Sequence, residues 1–285
     1  MRPVNRFLTT YWRLRVARAL GCTMHEVHLQ AAFLPRLKAI YFANPKVAST
    51  TIKATFFLAE TGSTLPPDPG PPDHWEGEWS RKMGPEKDLK GFLRALRSPD
   101  YFRFIFVRNP YTRIVACYLD KVVRRPGPKY RTEAGLPSGG RASLAEFLRA
   151  IERQPPLAMN RHWRLQSVLI PRDVPIDFVG RFEQLEKDLA ALFARLGLPW
   201  NAPIDKRQTH RTSADAQAGE FIGREEKALI DRIYAADFER FGYAMELPGG
   251  VATSYAMTQS GMKPSAIGGP QIGNLLAPTS APSQG

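Results

Sequence analysis

The chain has 285 residues, with 40 Lys and Arg against 27 Asp and Glu for a formal net charge of +13. A hydrophobic fraction of 43% and a charged fraction of 24% belong to a globular chain long enough to bury a sizeable core, which excludes whole-chain disorder and collagen-like repeats. Cys22 and Cys117, without a CxxC, exclude a disulfide framework and a cysteine zinc site, the histidines form no HExxH and predict no bound metal, and the charge predicts anionic partners.

In chain order, Met1 to Leu20 interleaves Arg2, Arg6, Arg13, Arg15 and Arg18 with Phe7, Leu8, Tyr11, Trp12, Leu14 and Val16. It lacks a clean apolar run, so it does not read as a secretory signal peptide. Nothing in the chain reaches the roughly 18 apolar residues that span a bilayer. The segment reads as a basic amphipathic helix packed on its own domain, with peripheral contact to a membrane as its other use. Three β-rich runs follow, Lys38 to Ala43, Tyr101 to Val107 and Ile176 to Val179. Short, near-continuous apolar runs suit buried parallel strands. Each leads through a tight loop into a helical pattern: Ser49 to Ala59, Tyr111 to Val123, and Glu183 to Leu196 with Gly197 as its stop. Ser143 and Glu146 form a capping box ahead of the stripe Leu144, Phe147, Leu148 and Ile151. Arg224 to Phe238 carries Leu229, Ile230, Ile233 and Tyr234 on one helical face. Strand, loop and helix in this alternation predict an α/β fold with a parallel sheet. Gly62 to Pro85 is Pro-rich, holds His74, Trp75 and Trp79, and reads as a long loop.

The first run ends in Asn44-Pro45-Lys46-Val47-Ala48-Ser49-Thr50-Thr51. A helix N-terminus at the carboxyl end of a strand offers unpaired N–H groups and a positive dipole end. Lys46, Ser49, Thr50 and Thr51 add a cation and hydroxyl donors, the chemistry of an anion cradle. The same residues equally make an ordinary Ser/Thr N-cap beside a solvated lysine. No GxxxxGK[ST] pattern is present, which disfavours a nucleotide triphosphatase or P-loop kinase. The second run ends in Val107-Arg108-Asn109-Pro110-Tyr111-Thr112-Arg113, where Arg108 can meet a phosphate bidentately. A lone strand-end arginine is usually a structural ion pair. Two anion-suited loops at the ends of parallel strands imply one ligand with two separated anionic groups.

Pro45 to Thr51 resembles the 5′-phosphosulfate loop of sulfotransferases, and Phe104 to Tyr118 resembles their 3′-phosphate segment. Asn160-Arg161-His162-Trp163 and Asp177 to Leu185 match further blocks in the expected order. The pattern is similar to the carbohydrate sulfotransferases of the Golgi chondroitin/dermatan type and their bacterial relatives. The resemblance implies a P-loop-like central parallel sheet flanked by helices in a single catalytic domain. Residues 37–246 would form that sulfotransferase domain, after a basic helical segment at 1–36 and before a tail at 247–285. The tail carries Lys263 as its one charged residue and is expected to be disordered.

The resemblance further implies the donor substrate 3′-phosphoadenosine 5′-phosphosulfate, whose sulfuryl group passes in line to a hydroxyl of a carbohydrate or acidic glycan without a metal. Lys46, Val47, Ala48, Ser49, Thr50 and Thr51 would hold the phosphosulfate, with Lys46 at the bridging oxygen. Arg108 would hold the 3′-phosphate, and Arg211, Thr212 and Ser213 would close over the nucleotide. The family pattern R-x-P-x-x-R-x-x-S departs at Ala116, where its serine hydroxyl is missing. For the general base, His162 in the His-Trp block comes first and His74 second. A capped or core histidine beside a packed Trp163 is the bland reading of His162. Lys121, Arg124, Arg125, Lys129 and Arg131 read either as a solvated face or as a rim that attracts an acidic glycan. Nucleic-acid binding is the weaker use of the charge, for want of stacking aromatics. A non-catalytic protein that binds an anionic ligand or nucleic acid is the competing class. The animal enzymes carry an N-terminal membrane helix that this chain lacks, so a bacterial, cytoplasmic enzyme is expected.

Overall fold

Each of the three apolar runs forms a strand in the computed structural model, which describes residues 3–62, 82–124, 127–199, 218 and 220–248. The tail at 249–285, His74 with most of the Pro-rich loop, and Arg211, Thr212 and Ser213 lie outside these described residues. A fourth strand comes from the segment expected to be helical. After α1 (Pro3–Leu20) and the short α2 (Val27–Gln30), residues Ala31–Leu34 form β1, an edge strand antiparallel to β2 (Ala39–Phe42). Its signal is weak because four buried residues show no alternation. The sheet order is β1-β2-β3-β4, with β3 (Phe102–Val107) and β4 (Phe178–Arg181) parallel to β2 and to each other.

The first two runs read as continuously apolar because helices cover both faces of the sheet at β2 and β3, whereas β4 lies at the sheet edge with Val179 exposed rather than buried as expected. Period-two alternation splits them between two cores. Phe33, Ile40, Phe42, Ile105 and Val107 face one core, which takes in Val16 and Leu20 of α1 and Phe92 of α4 (Leu89–Ala95). The same core receives α5 (Pro110–Tyr118), α7 (Leu144–Glu152), α10 (Arg224–Ile233) and α11 (Ala235–Phe241). Leu34, Tyr41, Phe104 and Phe106 face the other core, beneath α3 (Ser49–Thr61) and α9 (Leu185–Arg195). The N-terminal helix therefore packs on its own domain. Gly180 in β4 makes room for the Phe106 ring, because a Cβ there would sit 2.3 Å from that ring.

Local signals set the helix ends. Ser143 and Glu146 make the reciprocal capping box at α7. Asn109 caps α5, accepting from the Tyr111 N–H at 3.0 Å, with Pro110 in the first helical position. The expected helix from Arg224 to Phe238 breaks at Tyr234, whose buried hydroxyl donates to the Trp163 carbonyl at 2.7 Å. Past α5 the chain widens into a π-type turn, Leu119–Arg124, and α6 (Pro128–Ala134) follows.

Candidate active site

The loop between β2 and α3 is not an ordinary N-cap. The cap residue of α3 is Ala48, with a left-handed φ of 58° and no side-chain cap bond. Lys46 is also left-handed, at φ 70°. Non-glycine residues in this region are strained, and such strain gathers at ligand-binding sites. Ser49, Thr50 and Thr51 consequently occupy the first helical turn instead of the cap. The Thr51 hydroxyl is buried without a hydrogen-bond partner. The first-turn N–H groups lack intrahelical acceptors, as at any helix start.

The second loop locks onto the first. Arg108, at the end of β3, donates from Nη1 to the Lys46 carbonyl at 3.1 Å and from Nε to Thr112 Oγ1 at 3.0 Å. Its guanidinium stacks 4.1 Å from the Phe182 ring centroid. Gln166, at the start of α8 (Gln166–Leu169), joins the two strand ends. Its Oε1 accepts from Asn44 Nδ2 at 2.7 Å and from the Arg108 N–H at 3.0 Å, and its Nε2 donates to the Arg108 carbonyl at 2.8 Å. Buried Arg113 donates to the Pro45 carbonyl at 3.1 Å. Glu183 is spent on structure, accepting from the Asn109 N–H at 2.6 Å and from the Tyr243 hydroxyl at 2.9 Å. Ala116 is buried on α5, 1% exposed.

Lys46 Nζ pairs with Asp120 on the π-type turn, and Lys121 Nζ contacts the same carboxylate at 3.2 Å. Burial pushes the Lys46 ammonium below its usual range, against the pull of Cys117 and Asp120. Burial alone would raise Asp120, but the charges of Lys46 and Lys121 prevail and hold it down at about 2. Lys121 lies 4.6 Å from the Tyr130 ring centroid, and that ring meets the His162 imidazole edge-on at 5.7 Å. His162 is part-buried, and its imidazole falls well below the usual histidine range through burial and the charges of Lys121, Lys46 and Arg161. The structure thus gathers Lys46, Arg108 and His162 around the carboxyl ends of β2 and β3.

Asp120 and Gln166 were not singled out by sequence, and Asn160 only as the first residue of the His-Trp block. The only signal for Asp120 in the sequence is its place between Arg108 and the basic run that starts at Lys121. That run is divided by the fold. Lys121 turns inward, and buried Arg131 donates to the carbonyls of Pro137 and Gly139 at 2.7 and 2.8 Å. Arg124 and Lys129 are exposed, and Arg125 lies outside the described residues. No cluster of three or more metal-ligating side chains occurs among the described residues.

A profile described as "Sulfotransferase family" matches residues 30–244. The chain belongs to this sulfotransferase family. Among curated relatives, this chain is 30% identical to carbohydrate sulfotransferase 14 of Mus musculus over 191 residues, 58% of this chain and 50% of that protein. It is 27% identical to carbohydrate sulfotransferase 14 of Danio rerio over 186 residues, 56% of this chain and 47% of the relative. Against carbohydrate sulfotransferase 11 of Rattus norvegicus it is 25% identical over 232 residues, 72% and 64% of the two chains. The chain spans about half the length of the first of these relatives. No solved structure matches it. These comparisons correct the expected cytoplasmic location. The matched relatives are vertebrate enzymes of the type described above as Golgi and membrane-anchored, and they lend nothing to a bacterial source. Among the described residues no helix is long and apolar enough to cross a membrane.

Proposed function

We propose that this sulfotransferase moves the sulfuryl group of 3′-phosphoadenosine 5′-phosphosulfate to a hydroxyl of a carbohydrate acceptor. The observation that carries the reading is the joining of the two anion-suited loops by the Arg108–Lys46 bond at 3.1 Å, with His162 close enough to feel the Lys46 charge. The match to relatives named carbohydrate sulfotransferases supports the glycan acceptor.

In the proposed step the acceptor oxygen forms a bond to sulfur while the bond from sulfur to the 5′-phosphate oxygen breaks. The electron pair stays on the phosphate, and the acceptor proton passes to His162. Lys46, with the N–H groups and hydroxyls of the first turn of α3, stabilises charge on the leaving oxygen. Arg108 holds the 3′-phosphate. Arg211, Thr212, Ser213 and the second base candidate, His74, belong to the same reading from sequence alone. A histidine kept neutral by its surroundings is ready to accept a proton. To act on the donor, Lys46 must share or leave Asp120, so donor binding exchanges one anionic partner for another.

The test is thermal unfolding of the chain with adenosine 3′,5′-bisphosphate, followed by transfer of radiolabelled sulfuryl group to a panel of glycans. Protection by the bisphosphate and not by duplex DNA, with label entering a glycan, supports the reading. Protection by duplex DNA alone sinks it in favour of nucleic-acid binding.

A further inference from the structure

His162 is braced from both sides by α6. Asn160, two residues earlier, accepts at Oδ1 from the His162 backbone N–H at 2.9 Å and lies 2.8 Å from the ring Nδ1. Its Nδ2 donates to Glu133 Oε2 on α6. On the other side, Trp163 Nε1 donates to Gln154 Oε1 at 3.1 Å, and Gln154 Nε2 donates to the Glu133 carbonyl at 2.7 Å. Glu133 therefore holds Asn160 through its side chain and, by way of Gln154, Trp163 through its backbone carbonyl.

The chain of bonds determines where the imidazole proton sits. An ionised carboxylate only accepts, so Glu133 must face the NH₂ of Asn160 and not its oxygen. The amide oxygen is thereby directed at His162, where it also receives the backbone N–H. An amide oxygen only accepts, so the ring nitrogen beside it must be the donor. The neutral imidazole is then the Nδ1–H form, with the lone pair on Nε2.

We infer that Asn160, oriented by Glu133, is a positioning residue that keeps the His162 proton on Nδ1 and leaves Nε2 to take the proton of the acceptor hydroxyl. The inference rests on the reading of His162 as the base. A neutral amide suits this place better than a carboxylate. Tyr130, Lys121, Asp120, Lys46 and Arg161 are the titratable and charged groups around the ring, and the three cations disfavour imidazolium more than Asp120 favours it. An aspartate at position 160 would fix the same tautomer but would also draw the ring toward its charged form. The amide fixes the tautomer without adding charge.

The experiment uses the full chain labelled with ¹⁵N-histidine, with the His162 ring signals assigned by their loss in His162→Ala. At pH 8 the wild type should show a protonated Nδ1 and an unprotonated Nε2. In Asn160→Leu the Nδ1–H preference should disappear and kcat should fall about 10- to 100-fold, by analogy with the loss of a hydrogen-bond partner behind a metal-bound histidine. Binding of adenosine 3′,5′-bisphosphate should stay within about threefold, since only the base is misplaced. Asn160→Asp should move the ascending limb of the pH–rate profile up by about one pH unit, because a carboxylate at Nδ1 stabilises imidazolium. Glu133→Gln can donate as well as accept, so it no longer dictates which way the Asn160 amide faces, and it tests the relay in a variant expected to fold even if Asn160→Leu does not. Its Nδ1–H preference and its kcat should both fall between those of wild type and Asn160→Leu. An Nε2–H wild type, or an unmoved limb in Asn160→Asp, would overturn the inference. Full transfer by His162→Ala beside an Nδ1–H wild type would instead remove the base reading and leave the hydrogen-bond assignment standing.

Discussion

Asp120 is the carboxylate on which two lysines depend, and replacing it with asparagine tests the electrostatics of the site. Its pKa, held at about 2 against an ordinary 3.8, corresponds to about 2 kcal/mol of native-state stabilisation at about 1.36 kcal/mol per pH unit. The side chain is 21% exposed, so solvent screening trims this to about 1–2 kcal/mol. Asp120→Asn should lower stability by that amount at pH 7, because Lys46 and Lys121 are left facing each other in a part-buried site. The folded-state pKa is depressed, so the stabilisation is present above about pH 4 and is lost as pH falls toward 2. The difference between wild type and variant should shrink over the same window. Lys46→Ala is the internal comparison. It leaves Asp120 with Lys121 at 3.2 Å and should cost under about 1 kcal/mol of stability. Its turnover should nonetheless fall roughly 10²–10³-fold, the effect of removing one donor at a developing oxyanion. Urea midpoints at pH 7 and pH 3, with turnover at pH 7, measure all of this. A stability gap for Asp120→Asn that is flat with pH, or a Lys46→Ala variant as destabilised as Asp120→Asn, would refute the reasoning.

His162→Ala should abolish transfer, by roughly 10²–10⁴-fold, and leave adenosine 3′,5′-bisphosphate binding within a few-fold in calorimetry. Because burial and neighbouring lysines disfavour imidazolium, the ascending limb of wild-type kcat/KM should lie below the ordinary 6.5, with a flat rate above it; a limb at or above that value would contradict the site's electrostatics. Gln166→Leu removes every bond that ties Asn44 to Arg108 and leaves buried groups unpaired, so it should lower stability by about 3 kcal/mol and weaken bisphosphate binding along with it. Normal bisphosphate affinity in a folded Gln166→Leu protein would show that the two loops hold their places without it.

Local patterns were enough for the parts of this protein that local physics decides. The runs at Lys38 and Tyr101 declared buried strands because both faces of the sheet are covered there, whereas the run at Ile176 gives β4, an edge strand with Val179 exposed. Ser143 and Glu146 declared the start of α7 because a capping box closes within four residues. The order of the phosphosulfate-like loop, the Arg108 segment and the His-Trp block was legible for the same reason, each being a short contiguous stretch. What remained hidden depended on partners far apart in the chain. β1 is four apolar residues with no period of its own, and only pairing with β2 makes it a strand. An ordinary Ser/Thr N-cap was one of two equal readings of this loop until the left-handed turn put the cap at Ala48. Asp120 lies 74 residues from Lys46, and Gln166 lies 58 from Arg108 and 122 from Asn44. No spacing rule connects such positions. Tertiary packing brings them together and lowers the local dielectric, and that turned Lys121, read as part of a solvated face or of a glycan-attracting rim, inward to share one carboxylate with Lys46.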